Sequence, residues 1–195
     1  MPTAFIIGNG KSRSSFDLSM LVGHGTIYGC NALYREFYPD YLVAIDDPMI
    51  EEIRKSGYPE QYLIIPPYNE QFEEAEHSFF QNRSNAGMIA MKEAIKAGHT
   101  YLICLGFDFF INGKNSYSNI FEGTKCYGKD TAINEEDSIR RMNYMGYIAK
   151  KYPEVTFEFV LPIGVDLRKF SCSVPNVIGS YYDDFMERLF SVKAK

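Results

Sequence analysis

The sequence predicts a single α/β domain of Rossmann-like type over residues 1–195, with a mostly parallel sheet flanked by helices. Three observations carry this. Short apolar runs and helical patterns alternate from the start of the chain, an order that buries a parallel sheet between helical layers. The first apolar run, Phe5-Ile6-Ile7, empties into the loop Gly8-Asn9-Gly10-Lys11-Ser12-Arg13. The composition, 46% hydrophobic and 23% charged over 195 residues, is that of an ordinary globular chain able to bury one sizeable core.

Strands are expected near Thr3-Ile7, Thr26-Cys30, Tyr41-Ile45, Gln61-Ile65, His99-Leu105 and Thr156-Val160. Asp47-Pro48 reads as a helix cap followed by proline at the first helical position, with Glu51 and Glu52 in the first turn. The acidic stretch Glu70-Glu76 reads as a solvated face or a helix start. The clearest helix runs from Asn85 to Ala97, with Met88, Met91 and Ile95 on one face, Ala90 and Ala94 beside them, and Gly98 placed to end it. A second runs from about Glu135 to Tyr152. Asn134 can cap it, and acidic residues at its start and Lys150 and Lys151 at its end complement the helix dipole. Its inner stripe is read as Ile139, Met142, Met145 and Ile148 or Ala149. A terminal helix is read over Ser180 to Val192, with Tyr182, Phe185, Leu189 and Phe190 facing inward. The long connection from Gly106 to Ala132, rich in Gly, Asn, Ser and aromatics, is a second place to look for chemistry.

Charge narrows the function classes. With 20 Lys and Arg against 25 Asp and Glu, net charge −5, the chain has no basic surplus for duplex nucleic acid and no Lys/Arg block for a membrane surface. No run approaches the roughly 20 apolar residues that span a bilayer, and the N-terminus has no signal-peptide pattern, so no transmembrane segment is expected and the expected location is cytoplasmic. Cys30, Cys104, Cys126 and Cys172 contain no C-x-x-C, which argues against a structural zinc site. Oligomeric state is not encoded in any of these features.

A glycine loop after a strand suits a bound phosphate or nucleotide, and it also suits a tight turn. Gly10-Lys11-Ser12 spells the end of a P-loop, but the required glycine five positions earlier is Phe5, and the third glycine of a dinucleotide fingerprint would fall at Arg13. In an open α/β sheet, ligands bind at the carboxyl ends of the strands, where strand order reverses. The polar residues following the expected strands are Gly8-Asn9-Gly10, Asn31, Asp46-Asp47 and Gly106-Phe107-Asp108, with Arg83-Ser84-Asn85-Ala86-Gly87 opening the clear helix.

In order and approximate spacing this set resembles the bacterial lipooligosaccharide sialyltransferases, which use CMP-activated sialic acid. The matching pieces are Ile6-Ile7-Gly8-Asn9-Gly10-x-Ser12, Cys30-Asn31, Arg83-x-x-x-Gly87 and Leu105-Gly106-x-Asp108-Phe109-x-x-Asn112-Gly113 with Ser116-Tyr117, after which the likeness fades. The resemblance implies a nucleotide or nucleotide-sugar as ligand, a glycan as acceptor and no required cofactor. It implies a nucleotide site formed by Gly8, Asn9, Gly10, Ser12, Asn31, Asn85, Ala86, Gly106, Asp108 and Phe110, with Tyr117 and Arg83 in the catalytic roles.

Three positions depart from the family pattern. One of the two phosphate-binding tyrosines is Phe110, which cannot donate a hydrogen bond, so Arg13, Lys11, Lys114 or a metal would have to compensate. The expected general-base histidine is missing, since the histidines are His24, His77 and His99 and none follows residue 99. Asp47 replaces an asparagine, and with Asp46 it could hold Mg²⁺. Two further readings therefore stay open. One is a Mg-dependent enzyme similar, more remotely, to the archaeal pterin diphosphokinase-like proteins. The other is a nucleotide-binding module without turnover.

Overall fold

In the computed structural model, which describes residues 3–67, 85–110, 119–128, 135–167 and 174–191, seven parallel strands form one sheet. They are β1 (Thr3–Ile7), β2 (Thr26–Cys30), β3 (Tyr41–Val43), β4 (Leu63–Ile64), β5 (Tyr101–Leu105), β6 (Thr156–Leu161) and β7 (Val177–Tyr181). Their spatial order is β4-β3-β2-β1-β5-β6-β7. The chain builds outward from β1 on one side through β4, then returns to place β5 on the other side of β1. Strand order thus reverses between β1 and β5, where Phe5 pairs with Ile103 and Ile7 with Leu105. This is the position at which an α/β sheet opens a crevice at its carboxyl edge.

Four helices cover the two faces: α1 (Asp47–Lys55), α2 (Ala86–Lys96), α3 (Glu135–Lys151) and α4 (Tyr182–Ser191). Alternate residues of each strand point to opposite faces, so Ile6, Leu102, Cys104, Phe157 and Phe159 pack beneath α2 and α3. Phe5, Ile7, Ile103, Leu105 and Val160 pack with α1 and α4. Because both faces are covered, the inner strands read as nearly continuous apolar runs. Among the described residues, no helix is long and apolar enough to cross a membrane.

The α/β expectation holds, with corrections at the edges. β7 was not foreseen: Val177-Ile178-Gly179 is a strand, and α4 begins only at Tyr182. A two-residue β4 follows a 3₁₀ turn at Glu60–Tyr62 where a longer strand was expected. Asp46, not Asp47, occupies the N-cap of α1: its carbonyl accepts from Met49 and Ile50 at 2.9 Å, and Asp47 is the first helical residue. On α3 the inner stripe is rotated, since Ile139 and Met142 are 46% and 40% exposed while Ser138, Tyr144, Met145 and Ile148 are buried. A hydroxyl therefore takes a buried place that an apolar residue was expected to fill. Phe190 on α4 likewise faces outward. Glu70-Glu76 lies outside the described residues.

Candidate functional site at the strand-order switch

A cavity of about 280 Å³ opens at the carboxyl ends of β1 and β5. Eight of the ten residues expected to hold a nucleotide line it: Gly8, Asn9, Gly10, Asn31, Asn85, Ala86, Gly106 and Asp108. They come from four separate stretches of chain, and the strand order brings them together. Phe107, Phe109 and Phe159 pack edge to face behind the cavity, with ring centroids 5.7–6.4 Å apart. Gly87 has no room for a side chain, because a Cβ there would lie 2.6 Å from the Phe107 ring.

The glycine loop is a backbone seam. The Gly8 N–H donates to the Leu105 carbonyl at 2.8 Å, and the Gly10 N–H donates to the Gly106 carbonyl at 2.9 Å. A Cβ on Gly8 would sit 2.5 Å from the Gly106 carbonyl oxygen, and one on Gly10 would sit 2.2 Å from Asp108 Oδ1. Gly106 itself has φ +73°, a conformation that favours glycine. The glycines thus let two strand ends approach each other, and both of their amides are used in doing so.

The cations of this loop are also engaged. Arg13 is buried: its Nε donates to the Gly8 carbonyl at 2.6 Å, another nitrogen reaches Asn9 Oδ1 at 3.3 Å, and the third pairs with Glu36 at 2.7 Å. Lys11 pairs with Glu122 at 2.8 Å. Both cations named as possible substitutes for the missing tyrosine hydroxyl thus have partners within the protein, and neither lines the cavity. Lys114 lies outside the described residues. Ser12 does not line the cavity. Its N–H donates to Asp108 Oδ2 at 3.1 Å, which fixes the carboxylate.

Residues 119–128 form a strap over the loop. Gly10 and Asn119 form an isolated antiparallel bridge, and the Ile120 N–H donates to the Asn9 carbonyl at 2.8 Å. Arg35 holds the far end, donating to Thr124 Oγ1 at 2.7 Å and to the Lys125 carbonyl at 2.9 Å, while also pairing with Glu52 on α1. The strap carries Asn119, Cys126 and Tyr127 into the cavity wall. Burial pushes the Tyr127 hydroxyl pKa up, outweighing the Asn9 and Asn31 side chains that favour its anion, so it is a neutral hydroxyl in the wall.

Two residues of the cavity wall carry a buried side-chain oxygen without a hydrogen-bond partner, Asp108 Oδ1 and Asn31 Oδ1. Asp108 is only 8% exposed, and buried polar atoms left unpaired are uncommon in folded proteins. Asn31 sits at φ +51°, a left-handed conformation that an asparagine tolerates better than most residues. Asn9, by contrast, is bound up in the frame: its Nδ2 donates to the Cys30 carbonyl at 2.9 Å, and its Oδ1 accepts from Arg13.

The opposite wall comes from helices. Asn85 caps α2 with its Oδ1, accepting the Met88 N–H at 3.0 Å. Ser138 and Arg141, one turn apart on α3, also line the cavity. Sequence reading missed both. The i, i+3 spacing of serine and arginine was visible, but the apolar residues Ile139 and Met142 beside them drew the first half of the stripe away from Ser138, while Met145, Ile148 and Ala149 are buried as expected.

The remaining expectations fall elsewhere. Tyr117 and Arg83 lie outside the described residues, as does the side chain of Phe110, whose backbone closes the 3₁₀ turn Asp108–Phe110. Asp46 and Asp47 do not line the cavity, and Asp47 instead borders a surface depression with Glu51, Arg54 and Lys55. Among the described residues, no group of three or more His, Cys, Asp or Glu side chains is placed to hold a metal ion. His24 and His99 precede β2 and β5, at the amino edge of the sheet, and His77 lies outside the described residues. No protein-family model, curated protein or solved structure matches the chain.

Proposed function

We propose that this protein binds a nucleotide or nucleotide-sugar in the crevice between β1 and β5 and transfers or hydrolyses the activated sugar, in the manner of a sialyltransferase-like glycosyltransferase. The observation that supports this is the convergence of Gly8, Asn9, Gly10, Asn31, Asn85, Ala86, Gly106 and Asp108 on one cavity of about 280 Å³, near the lower end of small-ligand sites, which start at roughly 300 Å³. Its lining offers neutral amides, one neutral phenol, one carboxylate and one guanidinium. Such a set suits a ligand that carries hydroxyl or amino donors at one end and an anion at the other.

For turnover, Tyr127 would donate a hydrogen bond to charge developing on the leaving phosphate, and Asp108 is the lining carboxylate able to accept a proton. With no histidine at the described cavity wall, water is a more accessible acceptor than a sugar hydroxyl. The test is a thermal-shift screen of CMP, CDP, UDP, GDP, ADP and ATP, each with and without Mg²⁺, followed by mass-spectrometric assay of the matching nucleotide-sugar. CMP is expected to raise the melting temperature without metal, since a ligand bound only to the native state stabilises it. Absence of any shift at millimolar concentration sinks the proposal. Binding without consumption of any donor would reduce it to a nucleotide-binding module.

A further inference from the structure

We infer that the side-chain amides of Asn85, at the start of α2, and Asn119, on the strap, grip the ligand by an acceptor oxygen. This rests on the nucleotide reading above and adds the strap to that site.

The main chain turns both amides the same way. The Met88 N–H donates to Asn85 Oδ1 at 3.0 Å, and the Phe121 N–H donates to Asn119 Oδ1 at 2.8 Å. A backbone N–H can only donate, so the atom it meets in each case is the amide oxygen, and the NH₂ group is left on the other side. Neither Nδ2 donates to any described residue, and neither is among the buried side-chain atoms that lack a partner. Both nitrogens are therefore accessible donors, carried by residues that line the cavity.

Other asparagines show the opposite use of the same group. Asn176 Nδ2 donates to the carbonyls of Ala149, Tyr152 and Val155 at 2.8–3.1 Å, and Asn9 Nδ2 donates to the Cys30 carbonyl. Their nitrogens serve the fold. In Asn85 and Asn119 the oxygen serves the fold and the nitrogen remains for something else.

Two distant segments of the chain hold this pair in place. Asn119 is tied to the glycine loop by its bridge to Gly10, and the Phe121 that fixes its oxygen is buried, with the Arg35 guanidinium 5.6 Å above the ring. Beside Asn85, Gly87 leaves the wall clear, since a Cβ there would lie 3.2 Å from Asn85 Oδ1. Because both amides are set before a ligand arrives, little side-chain freedom is lost on binding. A group that only donates has nothing to offer such a pair. A base carbonyl or a phosphate oxygen does.

The experiment measures cytidine and CMP by isothermal calorimetry on wild type and on Asn85→Asp, Asn119→Asp, Asn85→Ser and Asn119→Ser, with unliganded melting temperatures alongside. Aspartate and serine keep an oxygen for the backbone N–H, so the melting temperatures should stay near that of wild type. Each aspartate variant should weaken CMP by roughly ten- to a hundredfold, because a donor is lost and a second acceptor faces the ligand oxygen. Each serine variant, which introduces no charge, should weaken it by roughly two- to tenfold, the worth of one neutral hydrogen bond. Cytidine weakened by the same factors places a base or ribose oxygen on the pair; cytidine unchanged places the phosphate there. Aspartate variants that bind CMP as wild type does overturn the grip, and so do serine variants that retain full affinity while the aspartate variants lose it, since introduced charge alone would then explain the loss. A variant whose melting temperature collapses marks its nitrogen as structural and removes that residue from the pair. Failure of every nucleotide and nucleoside to bind the wild type overturns the nucleotide reading itself and this grip with it.

Discussion

Asp108 and Glu158 are both buried carboxylates of the same sheet, and the protein treats them in opposite ways. Glu158, within β6, is 0% exposed. It accepts hydrogen bonds from the Tyr101 hydroxyl at 2.6 Å, the Ser180 hydroxyl and the Arg188 guanidinium. Asp108, just past the carboxyl end of β5, receives the Ser12 N–H on one oxygen and has no protein partner on the other. A buried charge kept for structure is normally surrounded by donors, because an unpaired one is costly. Satisfaction by the protein's own groups therefore marks Glu158 as part of the frame. Asp108 keeps one buried oxygen without a hydrogen bond, as do the hydroxyls of Ser12 and Tyr182.

The largest expected effect breaks the satisfied carboxylate. Arg188→Ala removes the cation from the buried Glu158 and should cost about 1.5–3 kcal/mol, the worth of a hydrogen bond to a charged group, since the Arg188 side chain is itself half exposed. Its pH dependence identifies the cause. Burial raises the Glu158 pKa, but hydrogen bonds from Arg188, Ser180 and Tyr101 outweigh it and hold the group below its ordinary 4.5. A depressed carboxylate contributes stability that is full above the unfolded value and is lost as pH falls through the folded one. In Arg188→Ala the bonds from Ser180 and Tyr101 remain but the guanidinium no longer opposes burial, so the carboxyl rises relative to wild type and the variant loses less stability than wild type as pH falls toward 4.5. Urea denaturation at pH 7 and pH 4.5 checks this: the gap between wild type and variant must narrow in acid. A gap that stays constant would mean that the loss is one of packing.

Asp108→Asn sharpens the comparison from the other side. The amide oxygen can still accept the Ser12 N–H, and no second protein bond exists to be lost. Stability should change by no more than about 1 kcal/mol, the net worth of one hydrogen bond. Ligand affinity should fall about tenfold, because an acceptor becomes a donor at the cavity wall. Urea denaturation paired with CMP calorimetry measures both. A loss of stability as large as that of Arg188→Ala would make Asp108 a second structural carboxylate.

The same contrast explains what the sequence made legible. Strand cores such as Phe5-Ile6-Ile7 and Leu102-Ile103-Cys104 are buried on both faces and read directly as apolar runs, and the chemistry-bearing residues follow them, where a parallel sheet places its loops. That logic located eight cavity residues. It could not say how the glycine loop uses its amides, because partners such as Leu105 and Gly106 are nearly 100 residues away in the chain. Nor did periodicity resolve α3. Met145, Ile148 and Ala149 are buried as the stripe predicts, but in the first half of the helix Ser138 is buried while Ile139 and Met142 face outward. β7 escaped for a related reason: Val177-Ile178-Gly179-Ser180-Tyr181 pairs only with β6 and is mostly half-exposed, so it lacks the continuous apolar run of the inner strands.

The smallest expected change in stability is at Asn31, and it separates ligand binding from folding most cleanly. Asn9 is a poor probe, since its side chain ties Cys30 to Arg13 and its truncation would disturb the frame. Asn31 Oδ1 accepts nothing from the protein, while its backbone is held at φ +51°. Truncation to alanine would mix loss of the oxygen with strain of the left-handed backbone. Glycine adopts that conformation freely, so Asn31→Gly removes the side chain while relieving strain. Unfolding free energy should therefore stay within about 1 kcal/mol of wild type, the strain relief offsetting the greater freedom of the unfolded chain. CMP affinity should fall by roughly two- to tenfold, the worth of one neutral hydrogen bond. Cytidine should lose affinity by the same factor, because an amide oxygen accepts from donor groups, which the nucleoside carries. Calorimetry with both ligands decides it. If CMP weakened while cytidine did not, Asn31 would belong to the phosphate end of the ligand.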